Sequence, residues 1–466
     1  MRLRGVERQK NQTMQMALAF DGEIRSEAPK SPAEGTETLT VKHGIESPAN
    51  TERLMEEVCG RENCLQALRK VKANKGSAGV DGMTVTQLPG YLKQQWPAIR
   101  EQLLAGTYKP QPVKRVEIPK PDGGMRKLGI PTVLDRLIQQ AVMQVLQRQW
   151  DPTFSDNSYG FRPGRSARQA VEKAQRYIAE GYRVVVDLDL EKFFDRVNHD
   201  KLMASVARRV TDRRVLKLIR SFLTAGVMEN GLVGATEEGT PQGGPLSPLL
   251  SNVVLDELDR EMEKRGHRFV RYADDSNIYV RSLAAGQRVM ESVTAFLTNK
   301  LKLKVNSEKS AVAKPWERKF PGFSFTNAKE PKRRIAPKAL ERFKERVREI
   351  TRRNRGVSLE KVVEELSTYL TGWRSYFGYC QTPSVLERLD GWIRRRLRSV
   401  VWKQWRRGRT RFAKLRQRGV STVLAAVAAG QTHGPWRMAQ HEAMFIALPN
   451  ALFGALGLPR LDPKYG

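Results

Sequence analysis

The chain has 466 residues and a net charge of +32, from 82 Lys and Arg against 50 Asp and Glu, with 40% hydrophobic residues. That length allows two or three domains with sizeable cores, and the apolar fraction excludes a wholly disordered chain. So large a positive excess calls for a polyanion, nucleic acid before an anionic membrane surface, because no run of about 18 apolar residues is present to span a bilayer.

Residues 1–50 are rich in Ser, Thr, Pro, Glu and Gly and balance 7 basic against 7 acidic residues, the pattern of a flexible tail. Their one apolar piece, Met16 to Phe20, is too short for a secretory signal. Residues 51–105 read as a helical extension. Leu54, Val58, Leu65, Leu68 and Val71 repeat at helical spacing, Thr51 is a candidate cap, and Asn74 to Gly79 is the stop. A second helix is expected over about Thr86 to Ala105. Cys59, Cys64 and Cys380 form neither a disulfide framework nor a C-x-x-C pair, so they read as buried or idle thiols of a reducing cytoplasm.

Residues 106–326 alternate strand and helix signals. Val113, Val116 and Ile118, the turn Pro119 to Gly124, and Met125, Leu128 and Ile130 predict a basic β-hairpin. Helices follow, one with Leu134, Ile138, Val142 and Leu146 on one face and another over about Ser166 to Glu180. Residues 331–415 form a helical module, and 416–466 a short C-terminal segment. Between Pro331 and Val420, 26 basic residues face 8 acidic ones, so a net of +18, more than half the excess, sits in about a fifth of the chain. Trp373, Tyr376, Phe377, Trp392, Trp402 and Trp405 read first as helical core. The run Arg394, Arg395, Arg396 and Arg398, with Lys403, Arg406 and Arg407, is too dense for a simple solvated face and suits the phosphates of a folded RNA.

Two acidic segments carry the chemistry. Val184 to Leu188 is a β-branched run whose end delivers Asp187 and Asp189 at alternate positions, on one face. Phe269 to Val280 has two β-rich arms around Asp274-Asp275, a hairpin with acids at its turn. One Asp-Asp alone is an ordinary turn. The preceding aromatic, the flanking strands and a second acidic strand end favour a joint site for Mg²⁺, a hard cation that takes one or two carboxylates plus substrate phosphates. Two such ions would activate a 3′-hydroxyl and stabilise leaving pyrophosphate.

Tyr272-Ala273-Asp274-Asp275 resembles the YxDD box of reverse transcriptases, and the motif order resembles the bacterial group II intron reverse transcriptase/maturase family over about residues 55–460. The matching segments include Lys114 to Thr132, Tyr159-Gly160-Phe161-Arg162-Pro163-Gly164-Arg165-Ser166, Gly239 to Pro248, Leu303 to Lys309, Phe320-Pro321-Gly322-Phe323, and Thr371-Gly372-Trp373 with Tyr376-Phe377. The Phe320 to Phe323 segment departs from the expected Phe-Leu-Gly-Phe by Pro321. The resemblance implies an α+β right-hand polymerase with fingers and palm, followed by a helical thumb/maturase domain. It implies Asp189, Asp274 and Asp275 as metal ligands, with the Leu190 carbonyl completing one shell and Asp187 left as a strand-end residue. It also implies Lys120, Arg126, Phe194, Gln242 and Lys309 at the dNTP, and Phe320, Gly322 and Phe323 at the primer.

A ring at Phe194 would exclude a 2′-hydroxyl; the alternative places Phe193 and Phe194 both in the core. On spacing alone the basic hairpin also reads as solvated, the Gln242 turn is a weak signal, and Lys309 is equally a surface lysine. The expected function is RNA-directed DNA synthesis with two Mg²⁺ ions and dNTPs. Expected partners are the intron RNA as a lariat ribonucleoprotein, an RNA template, and a DNA primer or target DNA. No membrane partner is expected, and the sequence does not decide for or against a homodimer. The expected location is the bacterial cytoplasm, at the nucleoid when bound to target DNA. The last 46 residues hold His433 and His441 but no cysteine, so no His/Cys-rich endonuclease is expected there. A non-intron bacterial reverse transcriptase, or a splicing-only maturase, is the alternative.

Overall fold

The computed structural model describes residues 51–119, 124–229, 232–234, 238–240 and 243–462. The tail 1–50, with Lys120 and Gln242, lies outside them. The described chain forms two compact units, one of residues 51–170 and 182–313, the other of residues 171–181 and 314–462. The second unit therefore begins earlier than the composition change after Pro331 and also takes in a helical segment from the middle of the chain.

In the first unit the helices α1 (Leu54–Val58), α2 (Arg61–Ala73) and α3 (Leu88–Leu104) precede the hairpin β1 (Val113–Pro119) and β2 (Met125–Ile130). The single helix expected from Thr51 breaks at Cys59-Gly60, and its N-cap position is Arg53, with no side-chain bond. Helix α4 (Val133–Trp150) starts on Thr132, whose hydroxyl accepts from the Asp135 amide at 3.1 Å. Its Leu137, Ile138, Val142, Val145 and Leu146 are all buried, so it runs through the core.

Next in the chain is α5 (Ala167–Ala179), most of which belongs to the second unit; the first unit resumes with β3 (Val184–Leu188), α6 (Phe193–Arg196), α7 (His199–Ala207) and α8 (Arg213–Thr224). They are followed by β4 (Val227–Glu229), β5 (Leu232–Gly234), α9 (Ser247–Lys264), β6 (Arg268–Tyr272), β7 (Asp275–Val280), α10 (Leu283–Phe296) and β8 (Ala311–Ala313). One four-stranded sheet runs β2-β1-β4-β5 and the other β6-β7-β3-β8. Val184, Val185, Val186 and Leu188 are buried, as expected of a central strand covered on both faces. The first sheet holds a parallel β1–β4 pairing that joins residues more than a hundred apart, which hydrophobic period alone does not reveal.

The second unit carries β9 (Phe323–Phe325), β10 (Arg333–Ile335), and helices α11 (Pro337–Ile350), α12 (Leu359–Phe377), α13 (Ser384–Gln404), α14 (Gly408–Gln417), α15 (Thr422–Gly430), α16 (Pro435–Met438), α17 (Glu442–Ala447) and α18 (Asn450–Ala455). Phe343, Val347, Leu366, Leu370, Leu397 and Trp402 form its core. The core reaches Phe453 and Leu461, so the segment after residue 416 packs with the helical module. Among the described residues no helix is long and apolar enough to cross a membrane.

Candidate active site

The central strand β3 ends at Leu188, which pairs with Ser276 of β7 in antiparallel register. Asp189 follows directly after that last pair, and Asp275 directly precedes Ser276 at the start of β7. The hairpin β6–β7 closes on the Tyr272–Asp275 pair, leaving Ala273 and Asp274 as its two central residues. Strand pairing thus brings the end of β3, which carries Asp189, beside the β6–β7 turn, which carries Asp274 and Asp275, although about 85 positions separate them in sequence.

Backbone bonds hold the Asp189 end. The Asp189 amide donates to Ser310 Oγ at 3.0 Å and its carbonyl accepts from the Asn306 amide at 2.8 Å. Leu190, buried, bridges to Val305, and the Glu191 amide donates to the Lys304 carbonyl at 2.8 Å. The same loop brings Lys309 Nζ to 4.0 Å from Asp189 Oδ2. A lysine indistinguishable from a surface residue by spacing therefore stands at the acidic site.

Burial, and then the negative charge of Asp189, push the Asp274 carboxyl above its ordinary range, while Arg126 pulls the other way. Arg126 of the basic hairpin is thus close enough to act on Asp274 electrostatically. Among the described residues no group of three or more His, Cys, Asp or Glu side chains could hold a metal ion by itself. The donor set is nonetheless all hard oxygen, and a bound cation would favour the ionised Asp274 against both its burial and the charge of Asp189. That fits Mg²⁺, which completes its shell with water and substrate phosphates instead of a protein cage.

The family model for reverse transcriptase (RNA-dependent DNA polymerase) matches residues 118–325, and that for the group II intron maturase-specific domain matches residues 340–419. Protein YkfC of Escherichia coli (strain K12) is 33% identical over 301 residues, which are 56% of this chain and 79% of that protein. The chain belongs to the group II intron reverse transcriptase/maturase family. The group II intron-encoded protein LtrA of Lactococcus lactis subsp. cremoris is 32% identical over 311 residues, 53% of this chain. The match spans about half, 52%, of that protein's length. A partial Cas6-RT-Cas1--Cas2 complex is 23% identical with a TM-score of 0.35, covering 57% of this chain and 46% of that one.

The remaining expected contacts of this reverse transcriptase/maturase chain divide by burial. Phe193 is core and Phe194 half-buried, its ring edge-on to Phe193 at 5.3 Å, so only Phe194 presents part of a ring. Phe320 and Phe323 are buried. Phe323 packs on Tyr376 and Phe377 with ring centroids 5.6 and 5.4 Å apart. The expected primer contact by these two rings is therefore corrected: both are buried, and Phe323 is committed to an aromatic cluster with Tyr376 and Phe377. Between them Gly322, at φ +74°, stays half-exposed, and a Cβ there would crowd the Phe377 ring at 3.2 Å. The Pro321 carbonyl accepts from the Tyr376 hydroxyl at 2.8 Å.

The basic run also divides. Arg394 and Arg398 are only 6% and 2% exposed. Arg394 bonds Asp390 Oδ1 at 3.0 Å, and Arg398 bonds the Leu448 carbonyl and Asn450 Oδ1, each at 2.9 Å. Arg395 stacks on Trp436 with its guanidinium 3.9 Å from the ring centroid, and Arg396 donates to Thr351 Oγ1 at 2.5 Å. As RNA contacts, Arg394 and Arg398 are corrected to internal struts, since a charge buried in α13 must be paired there. Lys403, Arg406 and Arg407 are exposed. Trp373, Trp402 and Trp405 are buried, as the core reading expects.

Sequence reading passed over Arg271, which is wholly buried. Its signal was a charge inside the apolar strand Phe269-Val270-Arg271-Tyr272, a position that demands a partner.

Proposed function

We propose that the chain binds its group II intron RNA, assists its splicing and copies it into DNA during mobility, using dNTPs and a DNA primer. Asp189, Asp274 and Asp275 would hold two Mg²⁺ ions, with the Leu190 carbonyl as a further ligand. Once bound, the ions would favour the ionised 3′-hydroxyl of the primer and neutralise charge on the leaving pyrophosphate. Lys309, close to Asp189, supplies a proton and positive charge to that pyrophosphate. Arg126, with Lys120 and Gln242, holds the triphosphate, since a guanidinium fork matches phosphate oxygens. The partly exposed ring of Phe194 leaves no room for a 2′-hydroxyl and so selects dNTP. Gly322 offers backbone to the primer where the neighbouring rings are buried. The exposed Lys403, Arg406 and Arg407 meet RNA phosphates.

The observation that carries this reading is the strand register that pairs Leu188 with Ser276, so that Asp189 follows the end of β3 beside the turn holding Asp274, on whose carboxyl its charge acts. The test is extension of a DNA primer on an RNA template with dNTPs and Mg²⁺. Extension that needs Mg²⁺ and stops on chelation supports it. Absence of any extension by the folded protein rejects it.

A further inference from the structure

The acidic turn is held in a strained shape by residues that sit behind it. Ala273 has φ +57°, a left-handed conformation that a non-glycine residue adopts only when its surroundings impose it. Arg271 imposes part of it: its Nη1 donates to the Ala273 carbonyl at 2.8 Å and to Asn252 Oδ1 at 2.9 Å. Its Nη2 donates to Ser158 Oγ at 2.7 Å and to Asp259 Oδ2 at 2.5 Å, and its Nε to Asp259 Oδ1 at 2.8 Å. Asn252 Nδ2 in turn donates to the Gly160 carbonyl at 2.9 Å.

Gly160 lies directly against the turn. A Cβ built on it would come 2.1 Å from the Ala273 nitrogen, nearer than any side chain can approach. The segment around it meets β6 in a single parallel bridge between Ser158 and Arg271, with the Tyr159 amide donating to the Arg271 carbonyl and the Arg271 amide to the Asn157 carbonyl, both at 2.9 Å. Helix α9, the 157–160 segment and β6 therefore converge on one guanidinium. Every side-chain polar group named is buried, so each bond is made in a low dielectric where its loss is felt in full.

We infer that Asn252, Ser158 and Gly160 are positioning residues for catalysis: with Arg271 they clamp the Ala273 turn so that the Asp274 carboxylate is held at a fixed place relative to Asp189. None of them needs to touch substrate. The effect of loosening them falls on kcat, because a carboxylate displaced by about 1 Å costs on the order of 10²-fold in rate while nucleotide binding is made elsewhere.

This inference rests on the polymerase reading, and wild-type protein is assayed first for Mg²⁺-dependent primer extension, so that its failure would reject that reading itself. Ser158→Ala and Asn252→Ala are then compared with Val206→Ala, a core truncation on α7, at a temperature well below every variant's Tm. The expected result is a kcat loss of about 10- to 100-fold for Asn252→Ala and a smaller loss of the same kind for Ser158→Ala, with dNTP KM within about two-fold of wild type. Val206→Ala should keep kcat within about two-fold despite its lower Tm. Should Asn252→Ala not fold, Ser158→Ala alone carries the decision. A kcat for the folded variants within two-fold of wild type, or a loss that merely tracks Tm as in Val206→Ala, overturns the inference.

Discussion

Arg271 and Asp259 form an ion pair in which both side chains are 0% exposed, with 2.5 Å between Nη2 and Oδ2. Removing one partner leaves the other as a bare buried charge, which costs about 3–5 kcal/mol. Asp259→Ala should therefore lower the Tm by more than about 6 °C, at the 2–4 °C per kcal/mol of a unit this size. Asp259→Asn, which keeps an acceptor, should lose less. Thermal melts followed by circular dichroism check this, and a loss for Asp259→Ala below 1 °C would contradict the pairing.

The double variant Asp274→Ala, Asp275→Ala removes two carboxylates from the tip of the β6–β7 hairpin without touching a core side chain. Primer extension should fall by about 10³-fold or more, the scale of removing a principal electrostatic group from an active site. Binding of intron RNA should stay within two-fold. The pair of measurements separates polymerization from RNA binding, and extension at the wild-type rate would remove these residues from the reaction.

Phe194→Ala opens space where the half-buried ring stands. The dNTP over rNTP preference in kcat/KM should fall by about 10-fold or more, while dNTP incorporation alone changes less, as expected of a residue that acts by exclusion. An unchanged preference would assign the ring to packing only.

The basic module should respond in two ways. Neutralising the exposed Lys403, Arg406 and Arg407 together should weaken RNA binding and reduce the slope of log K against log salt by about 2–3, close to one for each phosphate that these side chains neutralise. Arg398→Ala should instead destabilise the helical unit, because its guanidinium bonds the Leu448 carbonyl and Asn450. A salt titration of binding and a thermal melt distinguish the two classes.

Burial pushes the Cys59 thiol up to about 11 and the Cys64 thiol up to about 12. The thiolate is the nucleophile, so at pH 8 both should be alkylated at least about 100-fold more slowly than a free cysteine. Addition of guanidinium chloride should expose them and restore the ordinary rate. Mass spectrometry after timed alkylation reads this directly, and rapid native labelling of either thiol would contradict it.

Much of this arrangement is legible in the order of residues. The Val184 to Leu188 run reads as a buried strand because β-branched residues follow one another with nothing polar until Asp187. The acidic hairpin reads from two β-rich arms around Asp274-Asp275. The basic hairpin arms and the long helix after Thr132 follow from period and capping. These are local signals, set by side-chain chemistry within a few residues. The break at Cys59-Gly60 is hidden because a continuous apolar stripe masks it.

What local pattern could not reach was partnership over distance. Lys309 and a solvated surface lysine look the same until a loop is pinned to Asp189 by backbone bonds about 120 residues away. Arg394 and Arg407 look alike in a run of arginines, yet Arg394 turns inward from α13 to Asp390 while Arg407 stands exposed in the connection to α14, a difference fixed by where the helix ends and which of its faces meets the core. The sequence alone therefore determined the central strand, the acidic and basic hairpins, the long helix after Thr132, the excess of charge and the three candidate carboxylates, since those depend on residue type and spacing. Tertiary structure alone decided that the strand end carrying Asp189 lies beside the Asp274 turn, that Arg271 and Gly160 pack on that turn, and which arginines are spent inside. Those facts depend on strand register and on the cost of leaving a buried charge unpaired, and both are settled only when distant segments pack.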